Sequence, residues 1–265
     1  MSAQVVLLEI KNLSVTYRRG NVAVYAVKDC SFSVARGEVV GLVGESGSGK
    51  SSILMSIPKL LPPLTAVTGG IFCDGRELTH LSEKEMNGWR WRRIALVPQG
   101  AMNSFTPHLT MERHITEVLE HHMRITGSES RKRAAALIRN VGLGDGVPRR
   151  YPHELSGGQK QRAALAVALA CEPDFLLADE PTTALDVITQ KEVLDTIITA
   201  ARERGMGLLL VTHDLPLASG VCDKLVVMKD GAIIESGPSR ELTGAPREDY
   251  TKLLINAITD MELPS

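Results

Sequence analysis

One short stretch, residues 44–51, limits the folds open to this chain more than any other part of it. It reads GESGSGKS, fits the phosphate-loop pattern G-x-x-x-x-G-K-[S/T], and continues the apolar segment at residues 38–43. The apolar segment predicts a buried strand that leads into the glycine loop and then into a helix. Backbone amides of such a loop curl around a β-phosphate, while Lys50 reaches the β- and γ-phosphates and Ser51 ligates Mg²⁺. The stretch therefore predicts an α/β fold that binds a nucleotide.

Apolar strands alternate with helical stretches along the rest of the chain, which is typical of an α/β protein. Parallel-sheet strands are predicted at residues 94–99, 174–179 and 207–212, which are almost entirely apolar. We also expect two antiparallel strands before the phosphate loop and a hairpin near residue 230. A loop is expected at residues 60–73, because that stretch contains two prolines and two glycines. Helical patterns dominate between residues 99 and 171.

Charge and cysteine content exclude several classes of protein. The formal net charge of −1 over 265 residues disfavours a nucleic-acid coat and a polybasic membrane anchor. The four cysteines are scattered, so we expect reduced, mostly buried thiols and neither a disulfide framework nor a zinc site. The N-terminus lacks the basic and apolar regions of a signal peptide, and no uncharged apolar run reaches about 18 residues. We therefore expect no signal peptide and no membrane span.

Two adjacent carboxylates end the predicted strand at residues 174–179. Asp179 and Glu180 follow the apolar run FLLA, and successive side chains of an extended chain point to opposite sides. Asp179 can then support the Mg²⁺ shell through a water, while Glu180 polarises a water that attacks the γ-phosphate. Such a pair also occurs as a simple cap at a strand end, but in a chain with a phosphate loop it predicts ATP hydrolysis.

Three further segments carry a resemblance to a known family. They read LSGGQKQR at residues 155–162, LLADEPTTALD at 176–186 and VTHD at 211–214. With the phosphate loop, they resemble the nucleotide-binding subunit of an ATP-binding cassette (ABC) transporter over most of the chain. LSGGQ resembles the signature motif of that family, and its order relative to the two Walker motifs is highly specific.

The resemblance implies a P-loop NTPase (RecA-like) α/β core with an antiparallel β subdomain at its edge and an inserted α-helical subdomain. We assign the core with its antiparallel element to residues 1–98 and 172–237. The helical subdomain with the signature motif is assigned to residues 99–171, and a helical tail to residues 238–265.

Further site residues follow from the resemblance. Tyr17 resembles the aromatic residue that stacks on adenine, although core packing is the alternative for an aromatic in an early strand. Gln99 resembles the residue whose amide oxygen binds Mg²⁺, and Asp186 matches the D-loop of the family. His213 matches the switch histidine that contacts the γ-phosphate and orients Glu180.

The expected site therefore has catalytic, metal-binding and nucleotide-binding members. The catalytic residues are Glu180, His213 and Lys50. The Mg²⁺ ligands are Ser51, Gln99 and, through water, Asp179. The residues expected to bind ATP are Tyr17, Gly44, Glu45, Ser46, Gly47, Ser48, Gly49, Lys50, Ser51, Ser52, Gln99, Ser156, Gly157, Gly158, Gln159, Asp179 and Asp186.

The segment LSGGQKQR is a second anion site, because a serine cap and two glycines bring backbone amides to the start of a predicted helix. In the family two cassettes pack head to tail, and Ser156 and Gly158 of one grip the γ-phosphate held by the other. The resemblance thus implies a second ABC ATPase subunit, identical or related, and a chain that is a poor ATPase until it dimerises. It also implies two integral membrane permease subunits, an extracytoplasmic solute-binding protein, a peripheral location on the cytoplasmic face of the inner membrane, and no nucleic acid.

Three segments, VGESGSGKSS, MNSFTP and EDYTKLL, are similar to the importers of oligopeptides, dipeptides and nickel. In that branch the tail commonly has a proline–tyrosine–threonine stretch, matched here by Tyr250 and Thr251. No cysteine follows Cys222, so we expect no iron–sulfur cluster. Two other hypotheses stay open: a non-transport ABC ATPase of translation or DNA repair, and a regulatory module that does not hydrolyse ATP. The presence of Glu180 and His213 weighs against the second.

Two features favour ordinary structural interpretations. The stretch WRWRR at residues 89–93 could suggest nucleic-acid binding, but we favour a helix end with solvated arginines. Four histidines between residues 108 and 122 could suggest a metal site, but they lack a metal-ligand spacing, and solvated helix faces explain them.

Overall fold

The structure is a computed structural model that describes residues 5–20 and 22–259. The chain divides into two compact units. The first is formed by the chain up to Asn87 and again from Gly207 onward, and the second by Gly88–Met206. The predicted helical subdomain at residues 99–171 falls within the second unit, and its boundaries stay a prediction.

The described strands are β1 (Val6–Arg19), β2 (Val22–Ala35), β3 (Val39–Val43), β4 (Ala66–Cys73), β5 (Arg76–Glu77), β6 (Ile94–Val97), β7 (Phe175–Asp179), β8 (Gly207–Thr212), β9 (Lys224–Lys229) and β10 (Ala232–Pro238). The described α-helices are α1 (Lys50–Ser56), α2 (Glu83–Asn87), α3 (Met111–Val118), α4 (Gly127–Asn140), α5 (Gly157–Ala168), α6 (Val187–Glu203), α7 (Leu215–Val221), α8 (Ser239–Gly244) and α9 (Asp249–Thr259).

The first unit contains an antiparallel sheet in the order β2-β1-β4-β5. The loop expected at residues 60–73 was wrong in its second half, because residues 66–73 form β4. Gly69 and Gly70, which suggested a loop, lie where the register of β1 shifts between Lys11 and Ser14. The strand continues past this irregularity because Ile71 beyond it is buried in the core.

A second sheet of the first unit has the strand order β10-β9-β3-β8. β3 pairs in parallel with both β8 and β9, and every residue of β3 and β8 is buried. Such continuous apolar runs are typical of strands covered on both faces. The predicted hairpin is confirmed, since β9 and β10 are antiparallel neighbours. Val43 pairs with Thr212, so the carboxyl ends of β3 and β8 lie level.

The second unit combines two parallel strands, β6 and β7, with the helices α3 to α6. α3 packs against α4 and α5, and α5 packs against β6. α3 continues without a gap into a π-helical turn, Leu119–Met123, and this turn is followed by Arg124 with a φ of +59°. Residues 89–93 form turns with an isolated bridge between Arg90 and Ile94, so they are not the expected helix end.

The cysteines and the absence of a predicted membrane span are two features expected from the sequence. All four cysteines are buried thiols outside any disulfide, which confirms the expectation of buried thiols. Burial raises the pKa of Cys171 to about 11. Among residues 5–20 and 22–259, no helix combines the length and the apolar character needed to cross a bilayer.

Candidate nucleotide-binding site

The predicted phosphate loop joins β3 to α1 in the first unit. Gly49 caps α1 with a φ of +104°, and a Cβ at this position would lie 2.2 Å from the carbonyl oxygen of Ala26. Only glycine allows this backbone conformation and this close approach. The loop therefore packs against the Ala26 backbone in a conformation that requires glycine, and α1 presents its first-turn amides directly after it.

Lys50 lies across its own loop. Its Nζ atom donates hydrogen bonds to the carbonyl oxygens of Gly44, at 2.8 Å, and Glu45, at 2.7 Å, and its side chain is almost fully buried. The Oγ atom of Ser48 lies 3.4 Å from the same nitrogen. The ammonium group is thus fixed at the loop predicted to hold the β- and γ-phosphates. The loop and the lysine are both compatible with binding of a nucleoside triphosphate.

Tyr17 lies against the helix that follows the loop. Its hydroxyl donates to the Oγ atom of Ser52 at 3.0 Å, which joins β1 to the first turn of α1. The ring is half-buried, so part of it faces solvent. The structure therefore brings together two of the residues predicted to bind ATP, Tyr17 and Ser52.

His213 follows β8 at the sheet edge from which the phosphate loop leaves β3. Because Val43 and Thr212 are register partners, the next residues along the two strands, Gly44 and His213, lie at the same edge. The turn beyond His213 is fixed, since the amide of Asp214 donates to the Thr212 hydroxyl at 3.0 Å. His213 is exposed to solvent.

The predicted acidic pair ends β7 in the second unit. Asp179 is buried, with 2% of its surface exposed, whereas Glu180 is half-buried and has a φ of +44°. The Oε2 atom of Glu180 accepts hydrogen bonds from Nε2 of Gln99 at 3.2 Å and from the Thr183 hydroxyl at 3.0 Å. A left-handed backbone at a non-glycine residue is costly and is found disproportionately at functional sites. Sequence reasoning missed Thr183, although it lies three positions after Glu180.

The signature segment forms the N-terminus of α5. The Oγ atom of Ser156 accepts a hydrogen bond from the Gln159 amide at 3.3 Å, and the Gln159 side-chain oxygen accepts one from the Ser156 amide at 3.1 Å. This reciprocal capping box fixes where the helix begins. Gln159 therefore helps to fix the N-terminus of α5 through this cap. Ser156, at the same N-terminus, is exposed to solvent.

Gly158 connects the signature segment to the D-loop residue Asp186. A Cβ at Gly158 would lie 2.4 Å from Cγ2 of Thr189. Thr189 cannot simply rotate away, because its hydroxyl donates to Asp186 at 2.7 Å and its amide donates to the same carboxylate at 3.0 Å. These hydrogen bonds cap α6 and lower the pKa of Asp186, with the Thr189 amide as the largest contribution.

The donors predicted for Mg²⁺ are a hydroxyl, an amide oxygen and one carboxylate, which is the oxygen chemistry that Mg²⁺ prefers when phosphates complete its shell. Across the described part of the chain, no group of three or more histidines, cysteines and acids could hold a metal by itself. His114 uses both ring nitrogens, since Nε2 accepts from the Thr106 amide and Nδ1 donates to the Thr110 carbonyl. Both ring nitrogens of His114 are therefore used in local hydrogen bonds.

The chain resembles known proteins in both its sequence and its fold. A sequence profile described as "ABC transporter" matches residues 27–183. The peptidoglycan transport ATP-binding protein YejF of Agrobacterium fabrum is 42% identical over 97% of this chain and 48% of its own length. A probable peptide ABC transporter ATP-binding protein, y4tR of Sinorhizobium fredii, is 39% identical over 96% of this chain and 77% of its own length. This chain therefore spans about half the length of the first relative.

Among solved structures, the fold matches the dimeric, post-hydrolysis structure of the ATP-binding cassette MJ0796 bound to ADP and phosphate. The TM-score is 0.79 and the identity 32%, over 88% of this chain and 99% of that one. The predicted fold class, an α/β P-loop NTPase, is thereby confirmed.

Proposed function

This chain belongs to the ABC transporter family, and we propose that it is the ATP-binding and ATP-hydrolysing subunit of a solute importer. The observation that carries the proposal is the phosphate loop, in which Gly49 occupies a position open only to glycine and Lys50 is fixed over the loop carbonyls. A loop of this geometry holds phosphates through backbone amides and one lysine, at the N-terminus of a helix.

In the proposed reaction, water attacks the γ-phosphate of ATP, and ADP and phosphate leave. Glu180 is the proposed general base that takes a proton from this water, with its carboxylate oriented by Gln99 and Thr183. Lys50 and His213 are proposed to stabilise the negative charge that develops on the phosphoryl oxygens. When Mg²⁺ is bound, it neutralises charge on the phosphates, and its proposed ligands are Ser51, Gln99 and, through water, Asp179.

We propose that the signature segment acts on the ATP of a partner subunit. Ser156 is exposed at the capped N-terminus of α5, where first-turn amides and the helix dipole favour an anion. The related cassette MJ0796 forms a dimer in its post-hydrolysis structure, which supports the same arrangement here. The partner is a second copy of this chain or a related ABC ATPase subunit.

The proposed solute is a peptide, because the relatives named above serve peptide or peptidoglycan transport. Nickel or another metal complex, the other class expected from the sequence, has less support. We further propose two integral membrane permeases, an extracytoplasmic solute-binding protein, and a peripheral position on the cytoplasmic face of the inner membrane.

Nucleotide binding tests the first part of this proposal. Lys50→Ala should weaken binding of magnesium ATP by about a hundredfold, since a charge-assisted contact to phosphate is lost. Lys132→Ala, on the exposed face of α4, is the matched control and should leave binding unchanged. Equal binding by wild type and Lys50→Ala would contradict the assigned site.

Purification from detergent-solubilised membranes tests the transport part. The chain should recover integral membrane subunits, and solute should stimulate ATP turnover in the reconstituted complex. Recovery of ribosomes or DNA-repair factors instead would favour the non-transport alternative.

A further inference from the structure

We infer that Tyr250, on the C-terminal helix α9, is a positioning residue that holds the phosphate loop in its nucleotide-binding shape. The inference rests on the proposed function, since it concerns how the same loop binds ATP. It gives the C-terminal helix a direct part in setting nucleotide affinity.

The contact joins the hydroxyl of Tyr250 to the second residue of the loop. The Glu45 amide donates to the Tyr250 hydroxyl oxygen at 3.2 Å. The carbonyl of the same Glu45 accepts from Nζ of Lys50 at 2.7 Å and from the Ser48 amide at 3.2 Å. Both backbone polar groups of Glu45 are therefore bonded, one to α9 and the other to the lysine predicted to bind phosphate.

The position of the Tyr250 ring is itself fixed. Nζ of Lys229, the last residue of β9, lies 4.7 Å from the ring centroid, which is the geometry of a cation–π contact. The turn that follows β9 also contacts the loop, because the Gly231 amide donates to the Ser48 carbonyl at 3.1 Å. The phosphate loop is thus held at two points, Ser48 through the hairpin and Glu45 through α9.

The start of α9 is anchored to the same hairpin. The carboxylate of Glu235, on β10, accepts hydrogen bonds from the amides of Arg247 and Glu248 at 2.9 and 3.2 Å. Thr251, next to Tyr250, is fully buried. These two hydrogen bonds fix the segment that leads into α9, so Tyr250, the second residue of the helix, is presented by a fixed element.

The loop needs such external support. Residues 45–47 are exposed, so core packing does not fix them, whereas Ser48 and Lys50 beyond them are buried. Without the Tyr250 hydroxyl, the Glu45 amide can bond to water, and the first half of the loop can adopt other conformations. Binding of a nucleotide would then have to order these residues, which lowers the affinity.

The test is Tyr250→Phe in the full chain, which removes the hydroxyl and retains the ring. Titration calorimetry with magnesium ADP, which carries the β-phosphate, should show a Kd about threefold to tenfold higher, the size expected for one hydrogen bond. Hydrogen exchange of a peptide that covers residues 43–48 should become faster. Tyr25→Phe is the matched control, since Tyr25 is 65% exposed, and both its Kd and its exchange should equal those of wild type.

The outcomes separate this inference from the proposed function. A wild-type chain that does not bind ADP overturns the proposed function. Wild-type binding together with an unchanged Kd in Tyr250→Phe overturns the inference and leaves the proposed function standing. A lower unfolding temperature of Tyr250→Phe without nucleotide, combined with an unchanged Kd, would show a merely structural role and also overturns the inference.

Discussion

The side-chain amide of Gln99 donates a hydrogen bond to the carboxylate of Glu180, with 3.2 Å between Nε2 and Oε2. The contact follows from strand register, because β6 and β7 are parallel and Val97 pairs with Ala178. Gln99 and Glu180 each lie two residues beyond these partners, so both side chains emerge at the same end of the strand pair. The strand register therefore brings the Gln99 side chain within hydrogen-bond distance of the proposed general base.

Gln99→Ala should lower the rate of ATP hydrolysis more than it lowers nucleotide affinity. The carboxylate of Glu180 loses the hydrogen bond from the Gln99 side chain, and we expect kcat to fall about tenfold, as for a lost bond to a charged group. Steady-state phosphate release and ADP titration measure the two quantities. Asn103→Ala, a nearby exposed amide, is the control and should have wild-type kcat.

Gly158→Ala should destabilise the chain although alanine is the better helix former. The added Cβ would lie 2.4 Å from Thr189, whose hydroxyl is committed to the α6 cap, so a loss of about 1–3 kcal/mol is expected. Denaturant unfolding measures the loss. Gly144→Ala is the matched control, because a Cβ there meets nothing within 4 Å. A stabilised Gly158→Ala chain would contradict the close packing of the signature helix on α6.

Asp186→Asn should reduce stability near neutral pH and have less effect in acid. The Thr189 amide and hydroxyl lower the pKa of Asp186 in the folded chain below its ordinary value of about 3.8. The stabilisation is therefore fully present above the unfolded-state pKa and is lost as the pH falls through the lower folded-state pKa. The unfolding temperatures of wild type and variant should differ at pH 7 and converge below about pH 4. A difference that grows in acid would contradict this assignment.

Local sequence patterns predicted the elements whose signals lie within a few residues. The strand–loop–helix around Lys50, the parallel strands and the serine cap of α5 are of this kind. β4 was missed because Gly69 and Gly70 are ordinary loop residues, and only the irregular register of β1 accommodates them in a strand.

Contacts between distant segments were not predictable from local patterns. Glu45 and Tyr250 are 205 positions apart, and no pattern near either residue indicates that they meet. Gln99 and Glu180, 81 positions apart, were assigned to one site through family resemblance. Their pairing depends on which strands become neighbours in the sheet, which is a property of the whole fold.

A mixture of two inactive variants should recover ATPase activity if, in a dimer of this chain, the signature segment of each copy completes the ATP site of the other. Lys50→Ala disables the phosphate loop, and Ser156→Arg disables the signature segment. In a head-to-tail heterodimer of the two variants, one site carries both defects and the other carries neither. Mixing equal amounts should therefore restore up to about a quarter of wild-type turnover, if half of the dimers are mixed and each has one intact site. A mixture as inactive as its components would contradict a dimer in which one copy's signature segment acts at the phosphate loop of another copy.

The most direct test of the account is phosphate release by Glu180→Gln. Since the amide cannot take the proton of the attacking water, turnover should fall by about a hundredfold or more, while magnesium ADP still binds with wild-type affinity. Glu203→Gln, an exposed carboxylate at the end of α6, should turn over ATP as wild type does. Unchanged turnover by Glu180→Gln would contradict the proposed mechanism.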